Sequence, residues 1–275
     1  MSKSNKQLIA GPWVGEFGWE LFAWQGYIRA LSKKFEKTTI ICRENSQYLY
    51  RDFADRFIVC EPQGGQSDSF FKNGVDINNL CKVILSQNKE ILEEGTTLFA
   101  PRRIGLPPQT HYTEEIEFGQ HKILPEYKVY GEEGQREYDY IFHIRSRELR
   151  KEDNWSISSW KKLKSLLGDD KKIACIGTKE SSGCIDGTDD LRDCPLEKVC
   201  TTIRNSGCAF GPSSGPMHLA SLCNTPHVVW SRPENKNRYE NTWNPLGTRV
   251  LFVGECSWHP EPEYVVEKFN SWRKR

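Results

Sequence analysis

No run of apolar residues in this 275-residue chain approaches the ~18 that a membrane-spanning helix needs. Met1 to Gln7 is polar and lacks the apolar centre and small-residue cleavage site of a secretory leader, so a cytoplasmic location is expected. Neither charge is in surplus: 38 Lys and Arg against 37 Asp and Glu leave a formal +1. A dedicated nucleic-acid binder, which neutralises phosphates with a broad basic surface, is therefore disfavoured. Ten cysteines are present without a single CxxC pair, so the spacing of zinc and redox motifs is missing. Cys42, Cys175 and Cys208 fall in apolar runs where a thiol behaves as a small hydrophobe. There is no DxD triplet; Asp169-Asp170 and Asp189-Asp190 sit in polar, turn-like stretches, and no metal is expected.

What is present describes an ordinary folded protein, 37% hydrophobic and 27% charged. Its length lies near the limit of about 250–300 residues for one core, so two small domains are an option. Residues 7–13 read as a strand, 14–18 as a Gly-rich loop and 20–35 as a helix; 38–42 and 57–60 are strand-like, with an amphipathic helix over 46–57. After a polar Gly/Ser/Asp stretch, 77–92 reads as a helix and 96–100 as a strand. Residues 101–137 lack periodicity and mark the crossing between halves. A second series follows: strands at 138–144, 172–177, 207–211 and 227–230 alternate with helices at 158–167, 196–205 and 216–223. Repeated βα units predict parallel sheets with right-handed crossovers. Ligands then belong beyond the carboxyl ends of the strands.

Three strand ends carry chemistry. The segment Gly211-Pro-Ser-Ser-Gly-Pro-Met-His-Leu-Ala220 is a Gly- and Ser-rich turn leading into an apolar helix. A helix N-terminus leaves N–H groups unpaired, and Ser213, Ser214 and Gly215 keep bulk low, so a diphosphate fits there. A plain helix cap suits the same residues. Met217 and His218 would line the site, His218 equally being a packing histidine. The second is His143-Ile-Arg145-Ser-Arg147, where two guanidinium forks suit phosphate oxygens, although the acids nearby also permit a surface ion-pair cluster. The loop at Gly177 and Lys179 and the stretch 238–245 are weaker candidates. The third is Gly15-Glu16 after the first strand, with Glu20 one helical turn on.

The segment at 211–228 resembles the D-[ST]-G-x-x-H-L-A-A-A-x-x-x-P-x-V stretch of the heptosyltransferase-like (family 9) glycosyltransferases: Ser214, Gly215, His218, Leu219, Ala220, Pro226 and Val228 match, while Ser213 stands where that family has Asp. Gly15-Glu16 and the later Arg29-Ala30-Leu31 are similar to its Gly-Asp loop and following helix. The strand end at His143 resembles the His-x-Arg-Arg motif of GDP-fucose-dependent fucosyltransferases and the family 9 Arg-to-Trp stretch, with Trp155 as the tryptophan. The resemblance implies a GT-B-like α/β fold of two facing Rossmann-like domains with a cleft between them: residues 1–130 on the acceptor side, 131–275 holding a nucleotide sugar. It implies metal-independent, inverting sugar transfer, with Glu16 as the base on the acceptor and Gly15, Glu20, His143, Arg145, Arg147, Gly177, Lys179, Ser213, Ser214, Gly215, Met217 and His218 as binding residues. The nucleotide sugar is a co-substrate, and no further cofactor is expected. The acceptor is a saccharide or another hydroxyl, a modified DNA base included, with no stable nucleic-acid partner; the residues specify no oligomeric state. A binding module without turnover and a nucleotide-sugar epimerase are the alternatives.

Overall fold

The computed structural model describes residues 6–61, 76–101, 116–118 and 121–274. Most of the polar stretch after the third strand and residues 102–115 of the expected crossing lie outside the described residues. The chain divides into two compact units, Met1–Tyr127 and Lys128–Arg275.

In unit 1, β1 (Gln7–Ala10), β2 (Lys37–Cys42), β3 (Arg56–Val59) and β4 (Thr96–Phe99) form a parallel sheet in the order β3-β2-β1-β4. Between β1 and β2 a helical stretch starts earlier than the sequence predicts. It runs through α1 (Phe17–Trp19), a π-helical turn at Glu20–Trp24 and α2 (Gln25–Ser32). A further helix, α3 (Ile77–Gln87), precedes β4, and the expected structureless crossing contains an antiparallel pair, β5 (Ile116–Phe118) with β6 (His121–Ile123). The helix predicted over 46–57 is replaced by one 3₁₀ turn, Asn45–Leu49. Its cause is tertiary: Arg29 Nη2 donates to the Leu49 carbonyl at 2.9 Å, taking the acceptor that a continuing α-helix would offer to Phe53. Phe53 N–H bonds Tyr50 O instead.

Unit 2 opens with β7 (Tyr138–Phe142) and the two-residue β8 (Ile144–Arg145). Then come α4 (Ile157–Leu167), β9 (Ile173–Cys175), β10 (Ser182–Gly183), β11 (Asp189–Asp190), α5 (Leu196–Arg204), β12 (Ser206–Pro212), α6 (Gly215–Leu222), β13 (His227–Trp230), β14 (Val250–Val253) and α7 (Pro262–Trp272). Six strands pair in parallel in the order β11-β9-β7-β12-β13-β14, while β8 and β10 form an antiparallel pair. Numbered within the unit this is 3-2-1-4-5-6, the doubly wound order. Beneath the sheet, Trp155, Trp160 and Trp230 meet with ring centroids 4.8–5.3 Å apart, and Phe142, Phe210 and Phe269 extend the same core. Each such ring contributes roughly 1.5–3 kcal/mol by leaving water, which fixes the strand ends above it.

Candidate functional site

In a doubly wound sheet the crevice opens where the strand order reverses, outside the carboxyl ends. In unit 2 that point lies between β7 and β12, because β7 is the first strand of the unit and β12 the first laid down on its other side. Phe210 pairs with Phe142, so His143 leaves β7 alongside Gly211 leaving β12; His143 N–H bonds Phe210 O at 2.9 Å. Two of the sequence candidates thus flank one crevice, and Gly177 and Lys179 follow β9, the neighbour of β7. Gly211 keeps this corner tight: a Cβ would lie 2.7 Å from Met217 Sδ and 3.2 Å from His143 O.

On the β12 side the expectation that the Ser213–Gly215 amides grip a diphosphate needs correction. Ser213 N–H donates to Trp230 O at 3.0 Å. Ser214 N–H donates to the Tyr239 hydroxyl at 3.0 Å, and that hydroxyl donates in turn to Ser213 Oγ at 3.1 Å. Tyr239 is fully buried, its phenol pushed up to about 12 mainly by burial. These two amides are spent inside the protein. The first intrahelical bond runs from His218 N–H to Ser214 O, and Pro216 has no N–H, so Gly215 and Met217 carry the amides that a helix start leaves without an intrahelical partner. His218 is buried, stacks on Tyr239 at 4.1 Å and meets Trp243 edge-on at 4.4 Å. Burial holds its pKa well below the usual histidine range, making it a packing residue behind the loop. Sequence reading missed Tyr239 because it lies on a separate π-helical turn, Arg238–Thr242; its only signal was the weak aromatic and polar stretch at 238–245.

On the β7 side the two arginines part company. Arg145 is 3% exposed; its guanidinium donates to the carbonyls of Arg150 (3.0 Å) and Leu149 (3.2 Å) and to Asn154 Oδ1, with Trp258 beside it. It closes its own loop, its guanidinium engaged with groups of the same segment. Asn154 ties the loop from the other end, accepting from Arg147 N–H at 3.2 Å and donating to Arg147 O at 2.8 Å. Arg147 is half-buried, its backbone gripped on both sides. His143 is 5% exposed and its Nδ1–H donates to Ile176 O at 3.2 Å; burial first, then Arg145 and Arg147, hold its pKa down at about 4. Gly177 adopts φ +126, and a Cβ there would strike Ser182 Oγ at 2.1 Å. Lys179 is exposed, its N–H bound to Asp193 Oδ1 at 3.0 Å.

In unit 1 the order reverses between β1 and β4. Gly15 takes φ +134 after β1, a conformation that favours glycine, and Glu16 follows in extended backbone, half-buried, without capping the helix by its side chain. Glu20 departs from its predicted ligand role. It is 1% exposed, accepts from Tyr50 OH (2.8 Å) and Ser46 Oγ (3.1 Å), and lies 3.9 Å from Arg43. Burial raises its pKa against the pull of Arg43. It is an internal strut joining the π turn to the Asn45–Leu49 turn. All ten cysteines are unpaired thiols. Among the described residues no group of three or more His, Cys, Asp or Glu is placed to hold a metal ion, and no helix is long and apolar enough to cross a membrane.

No protein-family model and no curated protein matches the sequence. Solved structures share the fold. A family 9 glycosyl transferase from Veillonella parvula superposes with TM-score 0.59 over 99% of this chain and 98% of that one at 11% identity. The Escherichia coli heptosyltransferase WaaC with ADP gives 0.61 over 97% and 99% at 10% identity. E. coli ADP-heptose LPS heptosyltransferase II gives 0.58 over 97% and 98% at 15% identity. The GT-B-like α/β architecture is thereby established as this chain's fold.

Proposed function

We propose that this chain is a glycosyltransferase whose unit 2 binds a nucleoside-diphosphate sugar at the crevice between β7 and β12. One observation carries the reading: the reversal point of a 3-2-1-4-5-6 sheet is flanked by a positioned arginine loop on one side and the N-terminus of α6 on the other. The likeness of fold to structures solved with ADP or an ADP-sugar supports it and makes ADP-heptose the first donor to try.

In this reading the amides of Gly215 and Met217 hold the pyrophosphate, with the α6 dipole behind them, and Arg147 adds a fork of donors. Bond cleavage at the anomeric carbon leaves charge on the departing diphosphate, and these groups stabilise it where it develops. Glu16 takes the proton from the acceptor hydroxyl as the new bond forms, a single displacement that inverts the anomeric centre and needs no metal. Unit 1 then serves the acceptor, a saccharide or other hydroxyl, and unit 2 the donor. Unpaired thiols fit a reducing, cytoplasmic setting.

The test is thermal-shift screening against ADP-, UDP-, GDP-, CMP- and dTDP-sugars, followed by release of nucleotide in the presence of a saccharide acceptor. A binder of the folded state raises the melting temperature. Absence of any shift across the panel would overturn the assignment. With a donor in hand, Glu16→Gln should lower turnover at least a hundredfold with the donor's shift retained; unchanged turnover removes Glu16 from the mechanism.

A further inference from the structure

His143 stands at the reversal point of unit 2, and its ring is oriented by the protein. Nδ1 lies 3.2 Å from Ile176 O. A backbone carbonyl only accepts, so Nδ1 carries the hydrogen, and a neutral imidazole then presents a bare lone pair at Nε2. The ring is held in that orientation by its surroundings. Gly177 at φ +126 brings the backbone so close that a Cβ would sit 3.1 Å from His143 Nδ1 and 2.1 Å from Ser182 Oγ. On the opposite side Gly211 runs beside the His143 backbone. Arg145 and Arg147 near the ring, together with its burial, disfavour a second proton. Among the described residues the ring's hydrogen bond is the one at Nδ1.

We infer that His143 is a hydroxyl-reading residue of the donor site, its Nε2 accepting a hydrogen bond from a ribose or sugar hydroxyl of the bound nucleotide. The inference rests on the donor-site reading above and refines it, since the sequence suggested His143 as one of a cluster suited to diphosphate. A bare lone pair repels a phosphate oxygen and attracts an O–H. The hydroxyls nearest a pyrophosphate held at α6 are those of the ribose on one side and of the transferred sugar on the other, and both offer the same donor. His143 therefore selects nucleotide over simple diphosphate, leaving the charge to Arg147 and the helix amides.

The experiment compares the wild-type protein with His143→Asn and His143→Gln by calorimetric titration. Asn keeps a donor at the Nδ1 position for Ile176 O and lacks the distal acceptor; the longer Gln side chain carries a carbonyl oxygen that reaches the Nε2 position. The probes are the nucleoside diphosphate giving the largest thermal shift among ADP, UDP, GDP, CDP and dTDP, its 2′-deoxy and 3′-deoxy analogues, its sugar conjugate, and inorganic pyrophosphate. Expected is a loss of about tenfold in nucleotide affinity for Asn, recovery of most of it for Gln, and pyrophosphate binding equal in all three proteins. If one deoxy analogue binds wild type and Asn alike, the ribose is the source; if only the sugar conjugate distinguishes them, it is the transferred sugar. Nitrogen-15 spectra of the wild type at neutral pH should show Nδ1 protonated and Nε2 bare. Equal binding of both the nucleotide and its sugar conjugate by Asn and wild type, a parallel loss of pyrophosphate binding, or the opposite tautomer would each overturn the role of His143 and leave the donor site standing. A wild type that binds no nucleotide at all would overturn both.

Discussion

At the scale of single residues, two arginines two positions apart have different work. Arg145→Ala removes a buried guanidinium that satisfies two carbonyls and Asn154, and should cost about 3 kcal/mol in chemical denaturation. Arg147→Ala should cost less than Arg145→Ala in the same denaturation and weaken diphosphate binding tenfold or more by titration. The reverse pattern would exchange their roles. Tyr239→Phe keeps the ring that stacks on His218 and deletes only the hydroxyl that receives Ser214 N–H. It should cost about 1–2 kcal/mol and loosen nucleotide binding severalfold, because the turn leading into α6 loses its tie. The residue types were legible in the sequence, since His, Arg, Ser and Gly at strand ends are visible as such. Which of them turn inward was not. That depends on partners outside each motif, such as Asn154 for the arginine loop and, farther off, Tyr239 for the serines, and spacing alone carries no information about a bond over 25 residues.

At the scale of elements, alternating apolar runs located most βα units within a few residues, because period and burial agree there. The failures have physical causes. The second predicted helix of unit 1 loses its Leu49 acceptor to Arg29 and its Ser46 and Tyr50 side chains to Glu20, so tertiary bonds override an amphipathic pattern. Two-residue strands such as β11 pair by their backbone and are too short to show an alternation of side-chain type. The α7 pattern, Val265, Phe269 and Trp272 behind a Pro at the first turn, was readable and passed over. The Glu20 strut gives a test at this scale. Glu20→Ala would leave Arg43 buried beside a hole and should destabilise unit 1 by at least about 3 kcal/mol, whereas Glu20→Gln, retaining acceptor and shape, should cost clearly less when the two are unfolded in parallel.

At the scale of the whole molecule, the pairing order of the sheets, and with it the location of the crevice, could not be read in advance. It follows from which strand joins which, and parallel strands carry the same apolar run on either side. Burial also gives unit 2 an acid-sensitive interior. His143 and His227 are held at about 4 and His218 well below its ordinary value, all chiefly by burial. The folded-state values lie below the unfolded one near 6.5, so as pH falls the unfolded chain takes protons first and stability is lost between about 6.5 and 4. For His143 and His227 the loss flattens below 4, each having removed on the order of 3 kcal/mol. Urea midpoints measured at intervals from pH 7.5 to 4 should descend across that window, and His227→Asn should show a shallower descent.

The first strand of unit 2 to be made is an interior strand of its sheet. During translation β9 can join one edge of β7 as it emerges, and β11 can then join β9, but the other edge of β7 stays vacant until Ser206–Pro212 has left the ribosome. That edge is Tyr138–Phe142, apolar and almost wholly interior in the finished protein, and for some sixty residues of synthesis it offers unpaired backbone to any neighbouring chain. Nascent chains stalled before β12 are the ones that chaperones must shield.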